Sequence, residues 1–238
     1  MKAMIFAAGL GTRLKPLTDR MPKALVPVDG RPLLQIVLQK LRRAGFDDIV
    51  INVHHFADMI ETWCQSETGI RLSDERQELL ETGGGIKHAR PLLQDCQRFL
   101  IHNVDILSNV NLEAFMQAGE KHEATLLVSQ RDTQRYLLFD NDMRLVGWTN
   151  LKTGEVKSPY PGLNVDECQR FAFAGIHQMS TSLFPLMDEW PAKFSIIDFY
   201  LAVCAQHPIY GYIQPDLRLM DVGKLDTLAE AEAFVRSI

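Results

Sequence analysis

The sequence predicts an α/β fold, a mostly parallel sheet flanked by helices and followed by a small β-rich lobe. Three observations carry that expectation. Short apolar runs alternate with amphipathic segments through the first 130 residues, the pattern of repeated β-α units. At about Arg131 the rhythm changes to short strands separated by turn residues. A chain of 238 residues with 46% hydrophobic and 23% charged side chains buries a sizeable core, but is too short for two full-sized domains. The expectation is one domain over residues 1–238, with a core over 1–130 and a lobe and closing segment over 131–238.

The elements follow in order. Lys2–Ala8 reads as a buried strand. Pro32–Ala44 reads as a helix, because Leu33, Leu34, Val37, Leu38 and Leu41 share one face while Gln35, Gln39, Lys40, Arg42 and Arg43 cover the other. Pro32 suits its first turn and Gly45 ends it. Ile49–Val53 is a β-branched strand, Phe56–Gln65 has helical spacing through Phe56, Met59, Ile60 and Trp63, and Ile70–Ser73 alternates like a strand. A helix is expected after Gly83–Gly85, running to Leu93, then a strand over Phe99–Val104, a helix over Leu112–Glu123 and a strand over Ala124–Gln130. Beyond these, Tyr136–Phe139 and Leu145–Trp148 flank Asn141-Asp142 as a hairpin, and Gly154 to Asn164 reads as a loop. Phe171–His177 is a short strand, and Ser195-x-x-Asp198 opens an apolar run as a capping box. Ile209–Ile213 and Leu219–Val222 are strands before a closing helix from about Thr227.

Composition excludes several functions. The formal charge of −5 argues against a general electrostatic grip on nucleic acid or on an anionic membrane surface. Cys64, Cys96, Cys168 and Cys204 lie far apart with no Cys-x-x-Cys pair, which suggests neither a disulfide framework nor a structural zinc site and fits a reducing cytoplasm. The apolar run Ala3–Ala8 is too short for a secretory leader, and no stretch is long enough to span a bilayer.

The first chemical motif is Ala7-Ala8-Gly9-Leu10-Gly11-Thr12-Arg13-Leu14, directly after a buried strand. Glycines there let backbone N–H groups approach an anion closely, although a tight turn alone would also use them. Leu14 stands where a dinucleotide fingerprint needs its third glycine, and no Gly-Lys-Ser/Thr follows, so both familiar phosphate loops are excluded. Arg13, Lys15, Arg20 and Lys23 lie close behind with only Asp19 opposed, which suits a polyphosphate or a solvated basic loop. Pro22 and Pro27 stiffen the segment that carries Lys23. Asp105 and Asp221, each at a strand end, read either as turn caps or as metal ligands. His54, His55 and His102 lack a second ligand at useful spacing and read better as packing residues, as do Trp63, Trp148 and Trp190, although Trp148 could lie against a sugar.

Gly9-Leu10-Gly11-Thr12-Arg13, nine residues, then Pro22-Lys23 resembles the signature of the sugar-phosphate nucleotidylyltransferases, and Leu25-Val26-Pro27-Val28 and Gly30-Arg31-Pro32-Leu33 continue the match. Leu80-Glu81-Thr82-Gly83-Gly84-Gly85-Ile86 is similar to the family's second nucleotide loop, Asn103-Val104-Asp105 to its metal aspartate, and Asp221-Val222-Gly223-Lys224 to the segment supplying a second metal carboxylate. The resemblance implies a Rossmann-like core, a sugar-binding lobe, and a reaction joining a sugar 1-phosphate to an NTP with release of pyrophosphate. It implies Arg13, Lys23 and Asp105 as catalytic residues and Mg2+ on Asp105 and Asp221. Ala8, Gly9, Leu10, Gly11, Thr12, Arg13, Lys23, Gly83 and Gly84 would contact the nucleotide, and Asn103, Gly175 and Arg135 the sugar.

Within the family, the compact length, Leu-Glu-Thr-Gly-Gly-Gly-Ile and Phe173-Ala174-Gly175-Ile176 are most similar to the uridylyltransferases of N-acetylmuramate 1-phosphate, which implies UTP and a role in cell-wall recycling. Two departures bear on the sugar: the family's Glu-Lys-Pro segment is absent around Trp148, and Val104 replaces a glycine usual in that group. A mannose-1-phosphate guanylyltransferase and a catalytically silent sugar-nucleotide sensor are the alternatives.

Overall fold

A computed structural model describes residues 1–238. The first half contributes β1 (Lys2–Phe6), a two-residue hairpin of β2 (Pro27–Val28) and β3 (Arg31–Pro32), α1 (Leu33–Arg43), β4 (Asp48–Val53), α2 (Ala57–Cys64), β5 (Ile70–Asp74), α3 (Glu81–His88), α4 (Arg90–Leu93), β6 (Arg98–Asn103), β7 (Ile106–Ser108), α5 (Leu112–Ala118) and β8 (Ala124–Ser129). The second half adds β9 (Arg135–Phe139), β10 (Leu145–Asn150), β11 (Glu155–Lys157), β12 (Gln169–Ser180), α6 (Ile196–Val203), β13 (Ile209–Ile213), β14 (Leu219–Asp221) and α7 (Leu228–Arg236). No helix is long and apolar enough to cross a membrane.

The main sheet runs β5-β4-β1-β6-β12-β8-β13. Its neighbours are parallel except where β12 runs antiparallel between β6 and β8. The first residues of β12 carry the antiparallel ribbon β9-β10-β11. The mostly parallel sheet and the β-rich lobe of the sequence reading are therefore both present. One apolar layer packs α1, α2, α5 and α7 on one face, and a second packs α3, α4 and α6 on the other. Burial on both faces is why the strands read as continuous apolar runs. In α1, Leu33, Leu34, Val37, Leu38 and Leu41 are all buried, each contributing about 1.5–3 kcal/mol.

Several expectations need correction. The short strand over Phe171–His177 is a twelve-residue strand, β12, at the centre of the molecule. His177 and Gln178 are buried in it and break its apolar pattern, and Gly175 (φ 74) lies where its register with β8 shifts. The loop over 154–164 contains β11, which pairs with β10. Gly119 ends α5 five residues before the expected end, where the buried Gln178 amide occupies the space of a side chain. The Ser195 hydroxyl caps α6 by accepting from the Ile197 amide at 3.2 Å, but Asp198 accepts from Lys157 at 2.9 Å, so half of the capping box forms. Gly83–Gly85 lie inside α3, not before it. Trp148 is covered by Lys157, whose ammonium sits 5.3 Å from the ring centroid, so that face is taken.

Candidate active site

The site lies where the central strands end. Phe6 pairs with Asn52 on one side and Asn103 on the other, so the chain leaves β1, β4 and β6 along one edge. Carboxyl ends of parallel strands are where open α/β sheets bind ligands. A cleft of about 440 Å³ opens there, walled by the loop from Ala7 to Arg13, by Lys23, by Glu81 and Thr82, by Asn103 to Asp105, and by Gly223.

The first loop is built for an open backbone. Nothing lies within 4 Å of where a Gly9 side chain would stand. Gly11 is left-handed (φ 63), with the Thr18 methyl 2.8 Å from the position a Cβ would take, so only glycine fits. The Thr18 hydroxyl donates to the Gly11 carbonyl at 2.9 Å and fixes the turn. The N–H groups of Gly9 and Gly11 make no bond to a backbone carbonyl. Ala8, Leu10, Thr12 and Arg13 all line the same wall.

Pro22 starts a single 3-10 turn over Lys23–Leu25, which turns the Lys23 side chain into the cleft. Lys23 is 8% exposed and its ammonium forms an ion pair with the Asp105 carboxylate. The Asp105 carbonyl accepts from the Val222 amide at 2.8 Å, and antiparallel pairing of β14 with β7 sets Asp221 opposite Ile106. The two aspartates, far apart in sequence, are thus brought to one place. Asp221 Oδ1 is buried without a hydrogen-bond partner. Gly223 is the reason Arg13 reaches this corner: the guanidinium and Asp221 Oδ1 each lie 2.8 Å from where a Gly223 Cβ would stand.

The arrangement fits a hard divalent cation. Two carboxylates, one with an orphaned buried oxygen, supply oxygen donors, and Mg2+ is commonly held by one or two carboxylates together with substrate phosphates. There is no cluster of three or more His, Cys, Asp or Glu, so further ligands would come from neutral oxygens of the chain, substrate or water.

The other expected residues separate. Asn103 lines the cleft, and Gly175 sits behind it, with the Asn103 amide nitrogen 2.9 Å from where a Gly175 Cβ would be. Gly175 backs the wall and is not part of it. Arg135 opens β9, exposed and away from the cleft walls. Gly83 and Gly84 also do not line the cleft. Their N–H groups donate to the Phe194 carbonyl at 2.8 and 3.2 Å, and they are glycines because the Phe194 ring and the Ala192 carbonyl pack onto them. The segment meets the cleft through Glu81, a left-handed residue (φ 61), and Thr82, whose hydroxyl accepts from the Ile196 amide at 2.9 Å.

Asn52 and Glu75, which sequence reasoning missed, lie buried beneath both loops. A polar residue inside the apolar run Ile49–Val53 was the available signal for Asn52. The histidines serve packing and turns. His102 is wholly buried, its Nδ1 bonded to the Asn103 carbonyl at 2.8 Å, and burial together with the Lys40 charge pushes its pKa down to about 4. Neutral at physiological pH and off the cleft, it is no general base there.

Comparison with known proteins places this geometry. The chain is 31% identical, over 97% of its length and 95% of the relative's, to an N-acetylmuramate alpha-1-phosphate uridylyltransferase of Caulobacter vibrioides. It is 45% identical to the enzyme of that name from Neisseria meningitidis, over 50% of this chain and 53% of that one. In fold it resembles HddC from Yersinia pseudotuberculosis, solved in complex with GMP-PN, with a TM-score of 0.75 at 21% identity over 98% of both chains. Residues 2–138 match the model of the Nucleotidyl transferase family, and with the first loop, Lys23 and Asp105 inside that match, the chain belongs to this family.

Proposed function

We propose that the chain joins a sugar 1-phosphate to a nucleoside triphosphate with release of pyrophosphate, and that its substrates are N-acetylmuramate 1-phosphate and UTP. One observation carries the chemistry: Lys23, Asp105, Asp221 and Arg13 meet at one end of a cleft whose other wall presents the free amides of Gly9 and Gly11. The name and near-complete coverage of the Caulobacter relative support the choice of substrates. The four unpaired cysteines accord with a cytoplasmic place.

No enzymic nucleophile is needed. A phosphate monoester has a second pKa of about 6, so the attacking oxygen is already anionic at neutral pH. The difficulty is to bring two polyanions into line while charge moves onto the leaving pyrophosphate, so positioning and neutralisation carry the rate. Gly9 and Gly11 donate backbone N–H groups to the triphosphate. Arg13 holds the phosphates that depart. Lys23, nearly desolvated, places its ammonium between the α-phosphate and the incoming sugar phosphate, where low solvent access strengthens its field. Asp105 holds that ammonium in place before substrate arrives. A Mg2+ ion on Asp105 and Asp221 would supply further charge neutralisation at the phosphates. Glu81 and Thr82 face the base, and Asn103 faces the sugar.

The test is a pyrophosphate-release screen of UTP, GTP, CTP and ATP against a panel of sugar 1-phosphates with Mg2+, including N-acetylmuramate 1-phosphate and mannose 1-phosphate. The expected result is the highest kcat/KM for UTP with N-acetylmuramate 1-phosphate. Preference for GTP with mannose 1-phosphate would overturn the substrate assignment, and nucleotide binding with no release for any pair would make the protein a silent sensor.

A further inference from the structure

Two buried side chains outside the phosphate-handling set join the two walls of the cleft. Asn52, 3% exposed at the end of β4, accepts on Oδ1 from the Ala7 amide at 2.7 Å and the Ala8 amide at 3.3 Å. Its own amide nitrogen donates to Glu75 Oε1 at 2.7 Å. The other Glu75 oxygen accepts from the amide of Leu80, the residue before α3, at 3.2 Å. A single hydrogen-bonded chain therefore runs from the first loop to the start of α3.

Glu75 is 2% exposed, and the ionisable groups facing it are His54 and His88, not a lysine or arginine. Burial pushes the Glu75 pKa up, against the opposing pull of the Asn52 amide, the Leu80 N–H and the two histidines. The surroundings nonetheless make room for it. A Cβ on Gly85 would stand 2.9 Å from Glu75 Oε1 and 3.3 Å from the Asn52 amide nitrogen, so α3 can approach the pair only with glycine there. The Leu80 peptide is held on both sides, since its carbonyl accepts from the Phe194 amide at 3.3 Å. That peptide leads into Glu81, whose left-handed backbone turns the chain toward the cleft. Every hydrogen in the chain points toward the Glu75 carboxyl group, whose two oxygens each accept one.

We infer that Glu75 is a positioning residue, acting through Asn52 and Leu80 to set the spacing between the first loop and the start of α3, and hence the fit of the nucleoside triphosphate that spans them. This rests on the proposed reading of the cleft as a nucleotide site.

Reversing the hydrogen bond between positions 52 and 75 tests it. Glu75→Gln sets an amide against the Leu80 N–H or against the Asn52 amide. Asn52→Asp sets a carboxylate against Glu75. The double variant Asn52→Asp/Glu75→Gln restores complementarity with the total charge unchanged: the new carboxylate accepts from Ala7, Ala8 and the new amide, whose oxygen accepts from Leu80. Each single variant is expected to raise KM and calorimetric Kd for UTP by about 10- to 100-fold, the scale of a broken bond to a charged group. KM for the sugar phosphate should stay within about twofold, because Asn103 and Lys23 are untouched. The double variant should return UTP affinity to within about threefold of the starting protein. Melting temperature is recorded alongside.

Unchanged UTP affinity in Glu75→Gln overturns the inference. Equal losses for both substrates with a lowered melting temperature and no recovery in the double variant also overturn it, assigning the pair to folding alone. If the unsubstituted protein binds UTP but releases no pyrophosphate with any sugar phosphate, the reaction is wrong, while the pattern of UTP affinities still decides the role of Glu75. Failure of the unsubstituted protein to bind any nucleotide removes both.

Discussion

Two glycine-rich segments border the cleft, and they use glycine for opposite purposes. At Gly9 the missing side chain leaves open space, with nothing within 4 Å of where it would stand. At Gly83, Gly84 and Gly85 the space is filled by the Phe194 ring, the Ala192 carbonyl and the Glu75 carboxylate. The first segment leaves the Gly9 and Gly11 amides without a partner, whereas the second spends two of its amides on Phe194 and lets a loop lie directly on a helix. A glycine in a sequence therefore marks either an approach by something absent from the chain or an approach by the chain itself. Only the spatial neighbours tell which.

The comparison can be broken most forcefully at the charged end of the first segment. Lys23→Ala and Asp105→Asn should each lower turnover by about 100-fold or more in a steady-state pyrophosphate assay, the scale of lost transition-state contacts. Near-normal turnover in either variant would remove that residue from the chemistry. Asp221→Asn should lower turnover and raise the Mg2+ concentration needed for half-maximal rate, because it removes a charged oxygen donor while keeping the shape. A variant with an unchanged Mg2+ titration would show that Asp221 holds no metal.

The glycines themselves sharpen the difference. Gly84→Ala drives a methyl group into the Ala192 backbone carbonyl and should cost about 1–3 kcal/mol in chemical denaturation. Gly9→Ala meets no protein atom and should change stability by less than about 0.5 kcal/mol while weakening UTP binding. If Gly9→Ala binds UTP normally, the openness of the first loop serves no ligand. The smallest effect is expected at Arg135, exposed and away from the cleft: Arg135→Ala should leave kcat/KM within about twofold. A larger loss would bring the lobe onto the substrate.

What was legible follows from where the information sits. Strands β1, β4, β6 and β8 and helix α1 are visible because burial on both faces, or on one face at helical spacing, writes itself into consecutive residues. The convergence of Lys23, Asp105 and Asp221 was implied by the family resemblance, since the residues alone left the two aspartates open between turn caps and ligands, and the β7–β14 pairing supplies its geometry. Three things were not legible. The true length of β12 is masked by polar residues at both its ends, Gln169 and Arg170 before the expected strand and the buried Gln178 after it. The packing role of Gly83 and Gly84 depends on Phe194 and Ala192, more than a hundred residues away. The Asn52–Glu75 bond joins residues on adjacent parallel strands and the turn beyond them, a neighbour relation that only the sheet order provides.

The most direct test of convergence is a crystal structure of the protein with Mg2+ and a non-hydrolysable UTP analogue. The phosphates are expected against the Gly9 and Gly11 amides, the Lys23 ammonium against the α-phosphate, and the Asp105 and Asp221 carboxylates on a shared metal ion. A nucleotide bound elsewhere, or bound in the cleft with Lys23 still paired to Asp105 and out of reach of the phosphates, would contradict it.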